Sequence, residues 1–257
     1  IKPLETLNQK ALDRLRDLVT IEGKISSSMM EAHQSVAHGV AWLATYTESI
    51  SQMVKWAESL SQEKKFGQLE QLLLQIGVSE YLGQIVGGIM MSQGEIFRLN
   101  DIGLSPLDLS EFQTQEVQEL LSKGNSQEAR TLLVDIMQEY SANITVGNSG
   151  LDEDLEMIRE QFRKFSIDKI EPYAHEWHLK DELIPLEVIS DLAELGVFGL
   201  TIPEEYGGLG LSKASMAVVS EELSRGYIGV GSLGTRTEIA AELILCGGTE
   251  EQKKHWL

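Results

Sequence analysis

Apolar residues recur at three- and four-residue steps along most of this chain, the period of a helix that buries one face. Val36, Val40, Leu43, Ile50, Val54 and Ala57 form one such stripe, with Thr47 at the missing step. Ser28 stands three residues before Glu31, the relation of a capping box, so the spacing predicts a helix from about Ser28 to Gln62. Leu69, Leu72, Leu73, Ile76, Leu82, Ile85 and Val86 mark a second long helix ending at Gly87-Gly88. Gly83 and Gly87, four apart, leave room for another helix to approach closely. Shorter helices are expected over 108–123 and 126–142, the second capped by Ser126. No segment alternates convincingly as a strand does, and the expected fold class is all-α.

The run Thr145-Val146-Gly147-Asn148-Ser149-Gly150 is small, polar and glycine-containing, as a linker is. Beyond it, Leu155, Ile158, Phe162, Phe165 and Ile170 begin a new amphipathic helix. The acidic turn Asp152-Glu153-Asp154 suits that helix's positive N-terminal end. This reading divides the chain into residues 1–148 and 149–257, with no internal repeat of fixed period.

Charge narrows the partners. Lys and Arg total 21 against 40 Asp and Glu, a formal net charge of -19. Neither half carries the basic stripe that a phosphate backbone requires, so nucleic acid is not expected as a partner, and an anionic membrane is not either. One cysteine, Cys246, excludes an internal disulfide and suits a reducing compartment. Its apolar neighbours Leu243, Ile244 and Leu245 predict an inert, buried thiol. No segment approaches the roughly 18 apolar residues of a membrane span, and the first residues lack a signal-peptide core, so a cytoplasmic location is expected.

Several clusters invite a chemical reading. Glu171, His175 and His178 share a helix face, yet the order His-Glu-Trp-His is not the zinc-protease pattern. His33 and His38, five apart, point to different faces. A metal site is expected at neither pair. Gly207-Gly208-Leu209-Gly210 lacks the spacing and the Lys-Ser/Thr of a phosphate loop, and reads as a turn begun by Pro203, with Ser212 capping the helix after it. The run Gly229-Val230-Gly231-Ser232-Leu233-Gly234-Thr235-Arg236-Thr237-Glu238 admits two readings. Its small residues, hydroxyls and arginine fit an anionic or polar ligand. Alternatively it is a glycine-loosened helix start whose Arg236 pairs with Glu238 or another neighbour.

A resemblance sharpens this. Ile189-Ser190-Asp191-Leu192-Ala193-Glu194-Leu195-Gly196-Val197-Phe198-Gly199-Leu200 precedes Thr201-Ile202-Pro203-Glu204-Glu205-Tyr206-Gly207-Gly208-Leu209-Gly210-Leu211. Glu221-Glu222-Leu223-Ser224 and Gly248-Thr249-Glu250-Glu251-Gln252-Lys253-Lys254-His255-Trp256-Leu257 follow. In order and spacing these resemble the N-terminal helical domain of the acyl-CoA dehydrogenase family. Ala37-His38-Gly39-Val40-Ala41-Trp42-Leu43-Ala44-Thr45-Tyr46 and Met91-Ser92-Gln93-Gly94-Glu95 resemble the helical extension of the family's methylsuccinyl-CoA-oxidising members.

The resemblance implies an FAD-dependent enzyme whose flavin site and glutamate base lie in a β-domain and a C-terminal bundle absent from this chain. It implies an acyl-CoA substrate, electron-transfer flavoprotein as electron acceptor and a homo-oligomer. No catalytic, cofactor-binding or metal-binding residue is assigned here, and the chain alone is expected to be inactive and free of flavin. Family members line their acyl pocket with the stretch matching 230–239, so Arg236, with Ser232, Thr235 and Thr237, is the candidate contact for a distal substrate carboxylate. A dehydrogenase of other acyl specificity and a non-catalytic helical scaffold remain the alternatives. Domain faces within 155–245 that would meet the absent parts are expected to be apolar and partly exposed.

Overall fold

The computed structural model describes residues 1–139 and 146–257. It divides into two compact units, Ile1–Gly150 and Leu151–Leu257.

The first unit opens with α1 (Lys2–Val19), whose Leu4, Leu7 and Ala11 are buried at helical spacing. Strands β1 (Thr20–Ile21) and β2 (Lys24–Ile25) form a hairpin. Its tight turn is made by Glu22 and Gly23, both with positive φ (51° and 77°). Next come α2 (Ser27–Ala32), the 29-residue α3 (Gln34–Gln62) and α4 (Gln68–Gly87). A second hairpin, β3 (Ile89–Ser92) with β4 (Glu95–Phe97), follows. Helices α5 (Pro106–Phe112), α6 (Gln115–Glu119), a wider π turn over Leu120–Gly124 and α7 (Gln127–Glu139) complete the unit.

The expected stripe on α3 is the heart of this core: Val40, Leu43 and Ile50 are buried in the cluster shared with α1 and α4, and Ala57 is buried further along the helix. Thr47, its polar step, is buried too. Its hydroxyl donates to the Leu43 carbonyl at 2.8 Å, so no polar atom is stranded. Tyr46 donates to Gln84 Oε1 at 2.7 Å and meets the Tyr81 ring edge-on at 4.6 Å.

Four local expectations change. The cap is Ser26, not Ser28: β2 delivers Ser26 in an extended conformation, and its Oγ accepts from Met29 N at 3.4 Å. Ser28 already lies inside α2, and the helix breaks at His33 before α3 begins. The predicted 108–123 helix is interrupted where Thr114 caps α6. The two hairpins were missed because pairs of two to four residues are too short to display alternation, although the fold remains all-α. Among the described residues, Gly83 and Gly87 have nothing within 4 Å of a Cβ position, so none of the described helices packs closely there. The close approach occurs instead at Gly39, where an added Cβ would lie 2.1 Å from the Phe97 ring. Ser126 does cap α7, accepting from Ala129 N at 3.2 Å. The predicted end of that helix, and Thr145 of the linker, fall outside the described residues.

The second unit contains α8 (Glu153–Lys169), α9 (Glu171–Leu179), α10 (Leu186–Glu194), α11 (Lys213–Gly226), α12 (Ile228–Gly247) and α13 (Glu250–Trp256). Asp152 caps α8, accepting from Leu155 N at 2.8 Å. Phe162, Ile170, Trp177, Leu192, Val197, Leu223 and Val230 form the core, with α11 packed between α8 and α12.

Candidate functional site

The glycine turn positions α11. Gly207 and Gly210 take positive φ (92° and 63°), and Ser212 caps α11 by accepting from Ser215 N at 3.2 Å. The turn's amides are already used. Gly208, Leu209, Gly210 and Leu211 donate to the carbonyls of Pro203, Gly199, Ile202 and Leu200 at 3.3, 2.9, 2.8 and 2.9 Å. A Cβ on Gly208 would lie 2.1 Å from the Ile202 carbonyl oxygen. Protein backbone thus occupies the space a dinucleotide pyrophosphate would need, and this cluster does not fit a flavin cradle.

The small residues of α12 serve helix packing. A Cβ on Gly231 would lie 2.0 Å from Ser224 Oγ and 2.7 Å from Ser224 N, and one on Gly234 would lie 2.9 Å from Val197 Cγ1. A close approach to this helix is therefore made by α11 and by the turn at Val197. Because backbone cannot yield as a side chain can, Gly231→Ala is expected to cost the second unit about 1–3 kcal/mol. Hydrogen exchange of the α11 and α12 amides measures this, and an unchanged protection pattern would refute it.

Arg236 projects from α12 into solvent. It does not pair with Glu238: residues two apart on a helix face different ways, and Glu238 binds Lys213 Nζ at 2.7 Å. Lys213 also pairs with Glu242, and its hydrogen bonds to both carboxylates raise its pKa, Glu238 contributing first. Among the described residues no carboxylate lies within ion-pair distance of Arg236. Helical spacing brings Ser232 and Arg236 onto one face, while Thr235 and Thr237 stand to either side. All three hydroxyls donate to carbonyls of their own helix: Ser232 to Gly229 at 2.9 Å, Thr235 to Ser232 at 3.0 Å and Thr237 to Leu233 at 3.4 Å. Their lone pairs remain as acceptors.

The Arg236 face continues through Ile239, Leu243 and Cys246, all exposed; Leu243 retains 70% of its accessible surface. The Cys246 thiol is thus not buried as its apolar neighbours predicted, because that run lies on the outward stripe of α12. Leu179, Leu183, Leu186 and Ile228 are exposed as well, so this unit carries the outward apolar faces expected of it. His175 and His178 are exposed on α9, and among the described residues no group of three His, Cys, Asp or Glu could hold a metal ion. Among the same residues, no helix is long and apolar enough to cross a membrane.

The sequence reading missed Glu222. Only 1% exposed, it receives Arg163 through Nε and Nη2 at 3.1 and 2.7 Å, and Arg225 at 3.1 Å. The hydrogen bond to Glu222 raises the Arg163 pKa, ahead of an opposing desolvation. The available signal was a carboxylate standing at a core-facing step, beside Val219 and Leu223.

The family model for the acyl-CoA dehydrogenase N-terminal domain matches residues 152–257. Residues 152–257 are an acyl-CoA dehydrogenase N-terminal domain. Across 99% of the chain, the sequence is 57% identical to (2S)-methylsuccinyl-CoA dehydrogenase of Cereibacter sphaeroides and covers 46% of that protein. Glutaryl-CoA dehydrogenase of Desulfococcus multivorans is 33% identical over 42% of the chain and 28% of its own length. Isobutyryl-CoA dehydrogenase of Dictyostelium discoideum is 33% identical over 42% of the chain and 26% of its own length. The chain thus spans about half or less of these relatives. In this dehydrogenase domain, the glycine turn, the Glu222 cluster and α12 belong to the matched residues.

Proposed function

We propose that this chain is the N-terminal part of an FAD-dependent acyl-CoA dehydrogenase that oxidises (2S)-methylsuccinyl-CoA to mesaconyl-CoA. The observation that carries this reading is the 57% identity running through both units, whereas the other two relatives described match 42% of the chain. Residues 1–148 are then a helical extension, and residues 149–257 the first domain of the dehydrogenase. FAD supplies the electron acceptor for the α,β-oxidation, and electron-transfer flavoprotein receives the electrons. The flavin site and the base belong to further sequence of the enzyme. The 257-residue chain by itself is inactive and flavin-free, which its visible absorption spectrum after purification tests. The exposed apolar faces of α12 and the 179–186 segment support assembly with those parts and with a second copy, in the cytoplasm.

Within this enzyme Arg236 holds the distal carboxylate of the methylsuccinyl chain, with Ser232, Thr235 and Thr237 nearby. Its exposed guanidinium, without a carboxylate partner among the described residues and beside exposed Ile239 and Leu243, supports the role, since the substrate pairs an apolar chain with an anionic end. In the full-length enzyme, Arg236→Met is expected to lower kcat/KM for methylsuccinyl-CoA by about tenfold to a hundredfold, and to leave butyryl-CoA within about twofold. Equal losses on both substrates would overturn the assignment of Arg236.

A further inference from the structure

The segment leaving the first unit has a linker's composition but not a linker's freedom. Asn148 N and Asn148 Nδ2 both donate to Glu70 Oε1, each at 2.9 Å, and Nδ2 donates also to the Lys65 carbonyl at 3.1 Å. On the opposite side, Trp56 Nε1 donates to the Asn148 carbonyl at 3.1 Å. Glu70 is only 3% exposed, and its second oxygen accepts from Gly67 N at 3.0 Å, closing the start of α4. One buried carboxylate therefore ties the head of α4 to a segment 78 residues later in the chain. Glycine is required on both sides of the tie. Gly147 and Gly150 have φ of 81° and 73°, and a Cβ would lie 3.3 Å from Glu70 Oε1 at the first and 2.9 Å from Trp56 Cδ1 at the second.

We infer that residues 147–150 are a latched strap, in which Glu70 clasps Asn148 and Trp56 backs it, so that the chain's exit from the first unit is set at Gly150. Leu151 alone then separates the strap from Asp152, the cap of α8. Opening the clasp would lengthen the connection between the units by residues 147–150, so Glu70 controls its length. The carboxyl fits this use. Burial alone would raise its pKa, but hydrogen bonds from Asn148, its own backbone and Gly67 outweigh that and hold it below the ordinary glutamate value. A clasp that stays charged keeps its strongest acceptor.

Hydrogen exchange of the 257-residue chain, read by peptide, tests this. Asn148→Ala removes the two side-chain donors but leaves the Glu70–Gly67 bond intact, and Glu70→Gln weakens every bond made to Glu70. Both are expected to speed exchange over 146–150 by about tenfold, with α1 amides within about twofold of the parent. Exchange over 146–150 as fast as in an unstructured peptide in the parent chain, or unchanged in both variants, would overturn the strap. If Glu70→Gln proves unstable, Asn148→Ala alone decides, since its loss does not touch the α4 cap.

Discussion

Glu222→Ala is expected to destabilise the dehydrogenase domain by about 3 kcal/mol or more. Glu222 is 1% exposed and is the shared anion for two guanidiniums whose side chains keep 18% (Arg163) and 32% (Arg225) of their surface. Removing it leaves both cations at the α8–α11 contact without their counter-charge, a larger penalty than the worth of the intact pair. Partial access to water lets the arginines recover some hydration, which holds the effect near the low end for a buried ion cluster. Glu222→Gln keeps shape and an acceptor and should fall between parent and alanine variant. The adjacent Glu221 is exposed and serves as control, where alanine should change stability by less than about 0.5 kcal/mol. Protection of the α8 and α11 amides reads the second unit separately from the first. A loss below about 1 kcal/mol for Glu222→Ala would show that the cluster does not hold these helices together.

Leu43→Ala should cost the first unit about 2–5 kcal/mol. Leu43 is fully buried, in the N-terminal half of α3, in the core this helix shares with α1 and α4. The long helices around it cannot close the gap without shifting other contacts, so lost burial and a retained cavity add together. Leu43→Met conserves volume and should cost less than about 1.5 kcal/mol. Denaturant unfolding followed by exchange in α3 and α4 measures both. Equal, small losses would mean that this core relaxes freely around the site.

Legibility differed from element to element. The α3 stripe was readable because one face of a long helix is buried or half-buried along its length, so burial imposes its period on the residues themselves. The C-terminal end of α4 and the caps Ser126 and Ser212 were readable for a local reason: glycine and serine satisfy backbone requirements within a few residues. Ser28 failed as a cap because the chain reaches it already helical, a consequence of where the β1–β2 hairpin ends. Cys246 failed because an apolar run does not state which face of its helix is covered.

By itself the sequence determined the all-α class, the principal helices and the family to which residues 152–257 belong, since helical period, caps and ordered motifs are local properties of the chain. Tertiary structure alone decided which glycines face a neighbour, where Glu222 and Glu70 find their partners, and that Lys213, not Arg236, takes Glu238. Those outcomes depend on contacts between residues distant in sequence, and the same side chain is a surface charge or a buried clasp according to what folds against it.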